Sequence, residues 1–163
     1  MSNFDSTSDT LDHIGKVQGY IADKVIKNFE DRAKAHDASK LEGVEKEGYD
    51  KLGERLRGIT YGSQEYKDQF KDPAMKAAVK HHYENNTHHP EHFLKEGEST
   101  RDGRAIAQMS LFDLLEMVVD WKAASERHAD GSVRDSLPIN EDRFGMSLQL
   151  ASIIERTVEE LGW

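Results

Sequence analysis

Five of the eight histidines in this 163-residue chain fall within a single segment, HHYENNTHHPEH, at positions 81–92. Imidazoles interleaved with Asn, Glu and Pro in mid-chain match neither chance clustering nor a terminal affinity tag. Histidine changes charge near neutral pH and binds divalent metals through a ring nitrogen. The segment therefore predicts metal binding or acid–base chemistry.

Two further stretches carry residues of the same chemistry. Adjacent side chains on a helix point about 100° apart, but at a helix end the backbone can turn, so His36 and Asp37 could reach one cation. His13 lies on a preceding predicted helix. Asp120 follows the apolar run LLEMVV, where a partly buried carboxylate needs a cation or hydrogen-bond donors. The alternative for Asp120 is an ordinary position on a polar helix face.

Composition limits the kinds of ligand. The net charge of −9 gives no electrostatic footprint for duplex nucleic acid, so an anionic substrate must be small and held by local positive groups such as metal ions. The chain has no cysteine, which leaves His and carboxylate ligands for a metal. Residues 1–10 lack a signal-peptide pattern, and no apolar stretch approaches a membrane span. We therefore expect a cytoplasmic protein that does not contact membranes; if it is phage-encoded, this is the host cytoplasm.

The elements that must position these residues are helices, because apolar residues recur three or four apart and no strand pattern competes. We expect an all-α fold with a flexible tail at 1–7 and one helical domain at 8–163. Pro90 should end the helix before it and favour an extended backbone at His89. Polar loops are expected at 95–104 and 129–138. The predicted helices are one capped by Ser8 or Asp9, 29–35 leading to His36-Asp37, 41–57, Asp72-Pro73 to Asn86, 111–127 capped by Ser110, and a last helix capped by Asn140.

The order of these motifs resembles that of a known superfamily. His13, then His36-Asp37, then a distant helical Asp120 resembles the signature of the HD-domain metal-dependent phosphohydrolases. More narrowly, HDASKL at 36–41, HHYENNTHHPEHF at 81–93 and EMVVDW at 116–121 resemble an uncharacterised HD-related family found in phages and bacteria. The resemblance implies an HD-type bundle of about five to seven helices with a central metal site.

The resemblance also implies a ligand set. One divalent metal would be bound by His13, His36, Asp37 and Asp120. Dinuclear members bind a second metal through two more histidines, with the HD aspartate bridging, and the matching region here is 81–92. His82 is the first choice, because it stands four residues before Asn86 on one helix face, and His89 or His88 is the second. The metal could be Mn, Co, Zn, Fe or Mg, with one or two ions per chain.

Other polar residues are candidates for substrate binding and catalysis. Lys40, three residues after Asp37, could hold a phosphate oxygen or be a solvated surface lysine. Glu91 could move protons or orient a metal-bound histidine, and a solvent-facing carboxylate is the alternative. Asn86 could donate to a phosphate or cap its helix. Arg104, in the polar loop, could close over an anion or be a plain surface charge. A histidine of the cluster, His82 first, could act as a general acid.

The function that the resemblance implies is hydrolysis of a nucleotide, either a monophosphate or a deoxynucleoside triphosphate, by a metal-activated water that attacks phosphorus. Two alternatives remain: a di-iron oxygenase of the HD type, and a non-enzymatic binding protein that kept the scaffold. A homodimer is a further possibility, since the last helix carries a wide apolar stripe. The stripe consists of Leu148, Leu150, Ile153, Ile154, Leu161 and Trp163.

Overall fold

The predicted all-helical class is confirmed by a computed structural model of the chain. The structure describes residues 5–57, 59, 64–69, 71–127 and 131–163, and these contain helices and no strands. Within these ranges six helices have nine residues or more, if the unbroken run from Thr7 to Ala35 counts as one, in agreement with the five to seven predicted. The chain divides into two compact units, Met1–His36 and Asp37–Trp163.

The first unit is a continuous helical run. Helix α1 spans Thr7–Tyr20, a π-helical stretch spans Ile21–Ile26, and α2 spans Lys27–Ala35. The run begins before the predicted caps Ser8 and Asp9, which lie inside its first turn with Ser6 as the N-cap, so the predicted start is wrong. Its predicted end is confirmed, since His36 follows α2 with non-helical dihedral angles.

The second unit opens on a tight turn that leads into α3. Asp37 has φ +54°, and among the described residues no other non-glycine residue has a positive φ. A 3-10 turn at Ala38–Leu41 follows, and α3 spans Gly43–Arg55. Asp and Asn tolerate this left-handed region better than most residues, because their short polar side chains can form local hydrogen bonds. Asp37, the second residue of the HD motif, therefore begins the second unit in a left-handed conformation.

Helix α5 spans Pro73–Asn85 and packs closely on α3; the short α4, Gln64–Gln69, lies between them in sequence. The predicted start is confirmed, because the carboxylate of Asp72 accepts from the backbone N–H of Ala74 at 2.8 Å. A Cβ on Gly48 would lie 2.5 Å from the Cβ of Ala78, so only glycine permits this approach of the two helices. After α5, His89 is extended before Pro90, as predicted, and a 3-10 turn covers Pro90–Phe93.

The C-terminal part of the unit contains α6 (Leu111–Ser125), α7 (Val133–Phe144) and α8 (Leu148–Glu160). The predicted Ser110 cap is confirmed as a capping box with Asp113. The predicted loop at 129–138 is wrong from Val133 onward, because α7 begins there and contains Pro138, and the predicted Asn140 cap is wrong for the same reason. Positions 129 and 130 of that predicted loop lie outside the described residues. Ser132 caps α7, and Gly145 ends it in a left-handed conformation.

Two apolar clusters form the core of this part of the unit. They lie among α6, α7, α8 and the segment before α6, and Trp121 packs against both of them. Trp121 also stacks on Phe144 with 6.0 Å between ring centroids, so it packs in the core. The buried members are Ile106, Met109, Met117 and Phe144 in one cluster, and Val118, Val133, Ile154 and Val158 in the other.

Candidate metal centre

Within the HDASKL segment, Lys40 contacts Asp37 through both its backbone and its side chain. The backbone N–H of Lys40 donates to the carbonyl of Asp37 at 2.9 Å, which closes the 3-10 turn. The turn brings the ammonium of Lys40 to 2.5 Å from Oδ2 of Asp37 and to 5.5 Å from the ring centre of Tyr49. The expectation that residues three apart share a face is confirmed here, and Asp37 keeps Oδ1 directed towards the histidines.

Three imidazoles converge on Asp37 Oδ1. Nε2 of His82 lies 3.5 Å from that oxygen, and Nε2 of His88 lies 3.6 Å from it. Nε2 of His89 lies 2.8 Å from Nε2 of His82. One ligand atom from each of these four residues falls within 4.8 Å of the others. We refer to Asp37, His82, His88 and His89 as the histidine centre.

The separations within the histidine centre suit a small divalent cation. Tetrahedral ligands about 2.1 Å from a metal are about 3.4 Å apart, close to the 3.5 and 3.6 Å found around Asp37. The His82–His89 pair, at 2.8 Å, would have to open by a fraction of an ångström. A set of imidazole nitrogens and one carboxylate oxygen is a typical donor set for Zn, Mn, Co or Fe. The residues present therefore fit such an ion.

In two of these rings, the nitrogen that is turned away from Asp37, Nδ1, lies next to a carboxylate. Nδ1 of His82 donates to Oε2 of Glu45 at 2.9 Å, and Nδ1 of His88 lies 3.1 Å from Oε1 of Glu116. The rings of His82 and His88 are 3% and 2% exposed, and Glu45 is fully buried. The other oxygen of Glu45 accepts from Nδ1 of His81 at 2.6 Å. Each buried ring thus has Nδ1 next to a carboxylate and Nε2 within 3.6 Å of Asp37 Oδ1.

The electrostatics favour neutral rings next to an ionised carboxylate. Burial alone would raise the pKa of Glu45, but hydrogen bonds from His81, Ser39 and His82 outweigh it and hold the pKa below its ordinary value. Burial, reinforced by Lys40, lowers the pKa of His82. Burial and the neighbouring rings of His88 and His82 lower the pKa of His89 to about 3. Neutral imidazole is the form that binds a metal.

The four-residue ligand set predicted from the resemblance is divided between the two units. His13 is exposed on α1, and His36 ends the first unit. Asp120, on α6 in the second unit, is half-buried and has a carboxylate oxygen within 4.8 Å of Asp37. The second unit therefore brings Asp37 and Asp120 together with His82 and His89, the predicted second-metal pair. The parts of His13 and His36 remain predictions.

Three other predicted site residues have different surroundings. The Asn86 amide donates to the carbonyl of His82 at 2.8 Å and to Ser39 Oγ at 2.9 Å, so it closes the end of α5. Glu91 accepts from Arg143 at 2.8 Å. Arg104 is paired with Asp102 and has an exposed side chain. No contact with the histidine centre is found for Glu91 or Arg104 among the described residues, and their catalytic and substrate-binding roles stay predictions.

The sequence prediction did not include the two anchoring carboxylates. Glu45 stands three residues before Gly48 and seven before Leu52, on the face of α3 that is buried, so an acidic residue among buried positions was an available signal. Glu116 stands four residues before Asp120 on α6, which places both carboxylates on one helix face. His88, left in the prediction as the alternative to His89, belongs to the centre together with it.

Fold and site together define an all-helical protein with a buried histidine–carboxylate cluster that could hold a metal ion. The chain belongs to the family of unknown function DUF5662, whose family model matches residues 2–160. No curated protein and no solved structure matches the chain. Among the described residues, no helix has the length and apolar character needed to cross a membrane.

Proposed function

We propose that this protein is a metal-dependent phosphohydrolase of the HD type that acts on a small nucleotide, either a monophosphate or a deoxynucleoside triphosphate. The observation that carries the proposal is the convergence of His82, His88 and His89 on Asp37, with Lys40 on the same carboxylate. The preference for a nucleotide rests on the resemblance of the HD, HHPEH and DW motifs to the HD superfamily. An acidic protein needs local positive charge to bind a phosphate, which here would come from Lys40 and the bound metal.

In this proposal the histidine centre binds the cation and Lys40 binds the substrate. A divalent metal would offset phosphate charge and lower the pKa of the attacking water. Water then adds across a P–O bond, with its oxygen joining phosphorus and one proton ending on the leaving oxygen. The ammonium of Lys40 would exchange its contact with Asp37 for a phosphate oxygen, because the cation takes over the charge of that carboxylate. Asp120, which has a carboxylate oxygen within 4.8 Å of Asp37, would be a second carboxylate for the metal.

The test is a metal-loaded activity screen with matched histidine variants. The full chain is loaded with Mn²⁺, Co²⁺ or Zn²⁺ and incubated with nucleoside mono- and triphosphates, and release of phosphate or triphosphate is measured. We expect metal-dependent release that is lost in His82→Ala and kept in His92→Ala. His92 is the matched control because it lies in the same segment, but its Nδ1 donates to the carbonyl of Tyr83.

Two results would overturn the proposal. Bound metal without release from any nucleotide would reject the reaction class. Two irons per chain together with oxygen uptake would favour the oxygenase alternative instead.

A further inference from the structure

Two of the three imidazoles in the histidine centre differ from the third in how they are held. His82 and His88 each have Nδ1 on a carboxylate, Glu45 or Glu116. Nδ1 of His89 has no hydrogen-bond partner among the described residues, and its Nε2 contacts Nε2 of His82. The three rings are therefore not equivalent before any cation binds.

A carboxylate can only accept hydrogen bonds, so it determines which nitrogen of a neutral ring carries the proton. Nδ1 of His82 must be the N–H group if it is bonded to Glu45, and the lone pair is then on Nε2. Nδ1 of His88 lies 3.1 Å from Oε1 of Glu116, and a carboxylate at that distance likewise favours a proton on Nδ1. Both Nε2 atoms lie 3.5 to 3.6 Å from Asp37 Oδ1, so the lone pairs are directed to one point.

Glu45 is placed for this role by the packing of two helices. It is fully buried on α3, and its two oxygens accept from Nδ1 of two consecutive residues of α5, His81 and His82. Burial of a lone carboxylate is costly, and several donors are needed to offset that cost. A fully buried Glu at a helix–helix contact is a poor choice for stability alone, since an apolar residue would pack there without that cost.

We propose that Glu45 and Glu116 are positioning residues that hold His82 and His88 as Nδ1–H tautomers, so that both rings present an Nε2 lone pair to a divalent cation bound with Asp37. This inference rests on the proposed function for its metal, but the tautomers are a property of the metal-free chain. Carboxylates behind metal-binding histidines typically change metal affinity or activity 10- to 100-fold when they are removed.

The experiment uses Glu45→Gln and Glu116→Gln in the full chain, with Glu47→Gln as the control. Glu47 lies on the same helix as Glu45 but is exposed, so the same chemical change is made away from the centre. Zn²⁺ and Mn²⁺ dissociation constants are measured by competition with a chelator. Long-range ¹H–¹⁵N spectra of the metal-free protein report the tautomer of each ring, and thermal unfolding in chelator reports stability.

We expect His82 and His88 to be Nδ1–H tautomers in the wild type. We expect each centre variant to weaken metal binding about 10- to 100-fold, with Glu47→Gln unchanged. A glutamine at 45 has one acceptor oxygen and one NH2 donor group, so the ring that faces the NH2 group is favoured with a lone pair on Nδ1. We therefore expect His81 or His82 to lose its Nδ1–H form in the spectra. If Glu45→Gln does not fold, Glu116→Gln tests the same role from α6.

The failures of the two proposals are distinguishable. If the wild type binds metal and both folded variants bind it equally tightly, the positioning role is overturned and the proposed function stands. An Nε2–H tautomer for His82 in the metal-free wild type also overturns the positioning role. If the wild type binds no metal, the proposed function is overturned, and the role assigned here to the two carboxylates falls with it.

Discussion

The α3–α5 part and the α6–α8 part of the second unit differ in the kinds of side chain that they bury. Between α3 and α5 the buried side chains include Glu45 and His82, with Gly48 at the closest approach. Around α6, α7 and α8 the two buried clusters are apolar, and Met117 and Val158 are 1% and 0% exposed. The α3–α5 part therefore buries ionisable groups beside the apolar Leu52, Met75 and Ala78, whereas the two clusters around α6–α8 are apolar.

This difference predicts that metal binding depends mainly on the α3–α5 part and metal-independent stability mainly on the α6–α8 part. Apolar burial contributes roughly 25 cal/mol per Å² whatever ligand is present, so the α6–α8 part should keep its structure without a metal. Buried polar groups stabilise a fold only when every partner is in place. The α3–α5 part should therefore respond to a bound cation, and variants in the two parts should have opposite signatures.

The largest expected effect is on metal affinity in Asp37→Asn. Asparagine tolerates the left-handed backbone of residue 37, so the turn should survive while the charge at the centre of the cluster is lost. We expect metal affinity to fall by more than about 100-fold, beyond the effect of removing an outer carboxylate, with little change in unfolding of the metal-free protein. Competition titration measures the first and calorimetry the second. Asp50→Asn, an exposed partner of Lys46, is the control, and wild-type affinity in Asp37→Asn would contradict the assignment.

The opposite signature is expected for Met117→Ala in α6. Met117 is 1% exposed in an apolar cluster, and truncating such a residue costs about 2–5 kcal/mol of unfolding free energy. Denaturant unfolding measures this loss, and metal titration should give an unchanged dissociation constant for the folded protein. Weaker metal binding of the same size as the stability loss would show that the two parts are not separate.

Metal addition should stabilise the chain and slow hydrogen exchange in one part of the second unit. At a free metal concentration 100 times the dissociation constant, a ligand that binds the folded state alone adds about 2.7 kcal/mol of stability. We expect the added amide protection to concentrate in α3, α5, residues 86–93 and the part of α6 that carries Glu116 and Asp120, as measured by hydrogen exchange with mass spectrometry. Protection spread equally over α7 and α8 would break the comparison, and the same experiment on Asp37→Asn is the control.

The smallest effect is expected from a pair of glycine substitutions in α3. A Cβ at Gly48 would overlap Ala78, whereas nothing lies within 4 Å of a Cβ at Gly53. We expect Gly48→Ala to cost about 1–3 kcal/mol and to weaken metal binding, because it separates Glu45 from His82. Gly53→Ala should instead stabilise the helix by up to about 1 kcal/mol. Equal behaviour of the two variants in thermal unfolding would argue against the close α3–α5 contact.

Most of the helices could be predicted from short-range sequence signals such as caps. Where such a prediction was wrong, the cause also lies in nearby residues. Asp72-Pro73 marks the start of α5 and Ser110 the start of α6, because a cap depends only on residues within one turn. A polar loop was predicted at 129–138, where the structure has the first half of α7. The structure accommodates Pro138 within a helix whose signals were Ser132 before it and Gly145 after it.

Periodicity, capping and proline act between near neighbours, so the helical class and the extended backbone at His89 could be predicted from local sequence. Which nitrogen of His82 is directed at Asp37 could not be predicted in this way. That choice depends on Glu45, 37 residues earlier in the chain, and on the missing side chain of Gly48 that lets α3 approach α5. Hydrogen bonds between residues so far apart in sequence depend on how the helices pack. Short-range sequence patterns do not predict that packing.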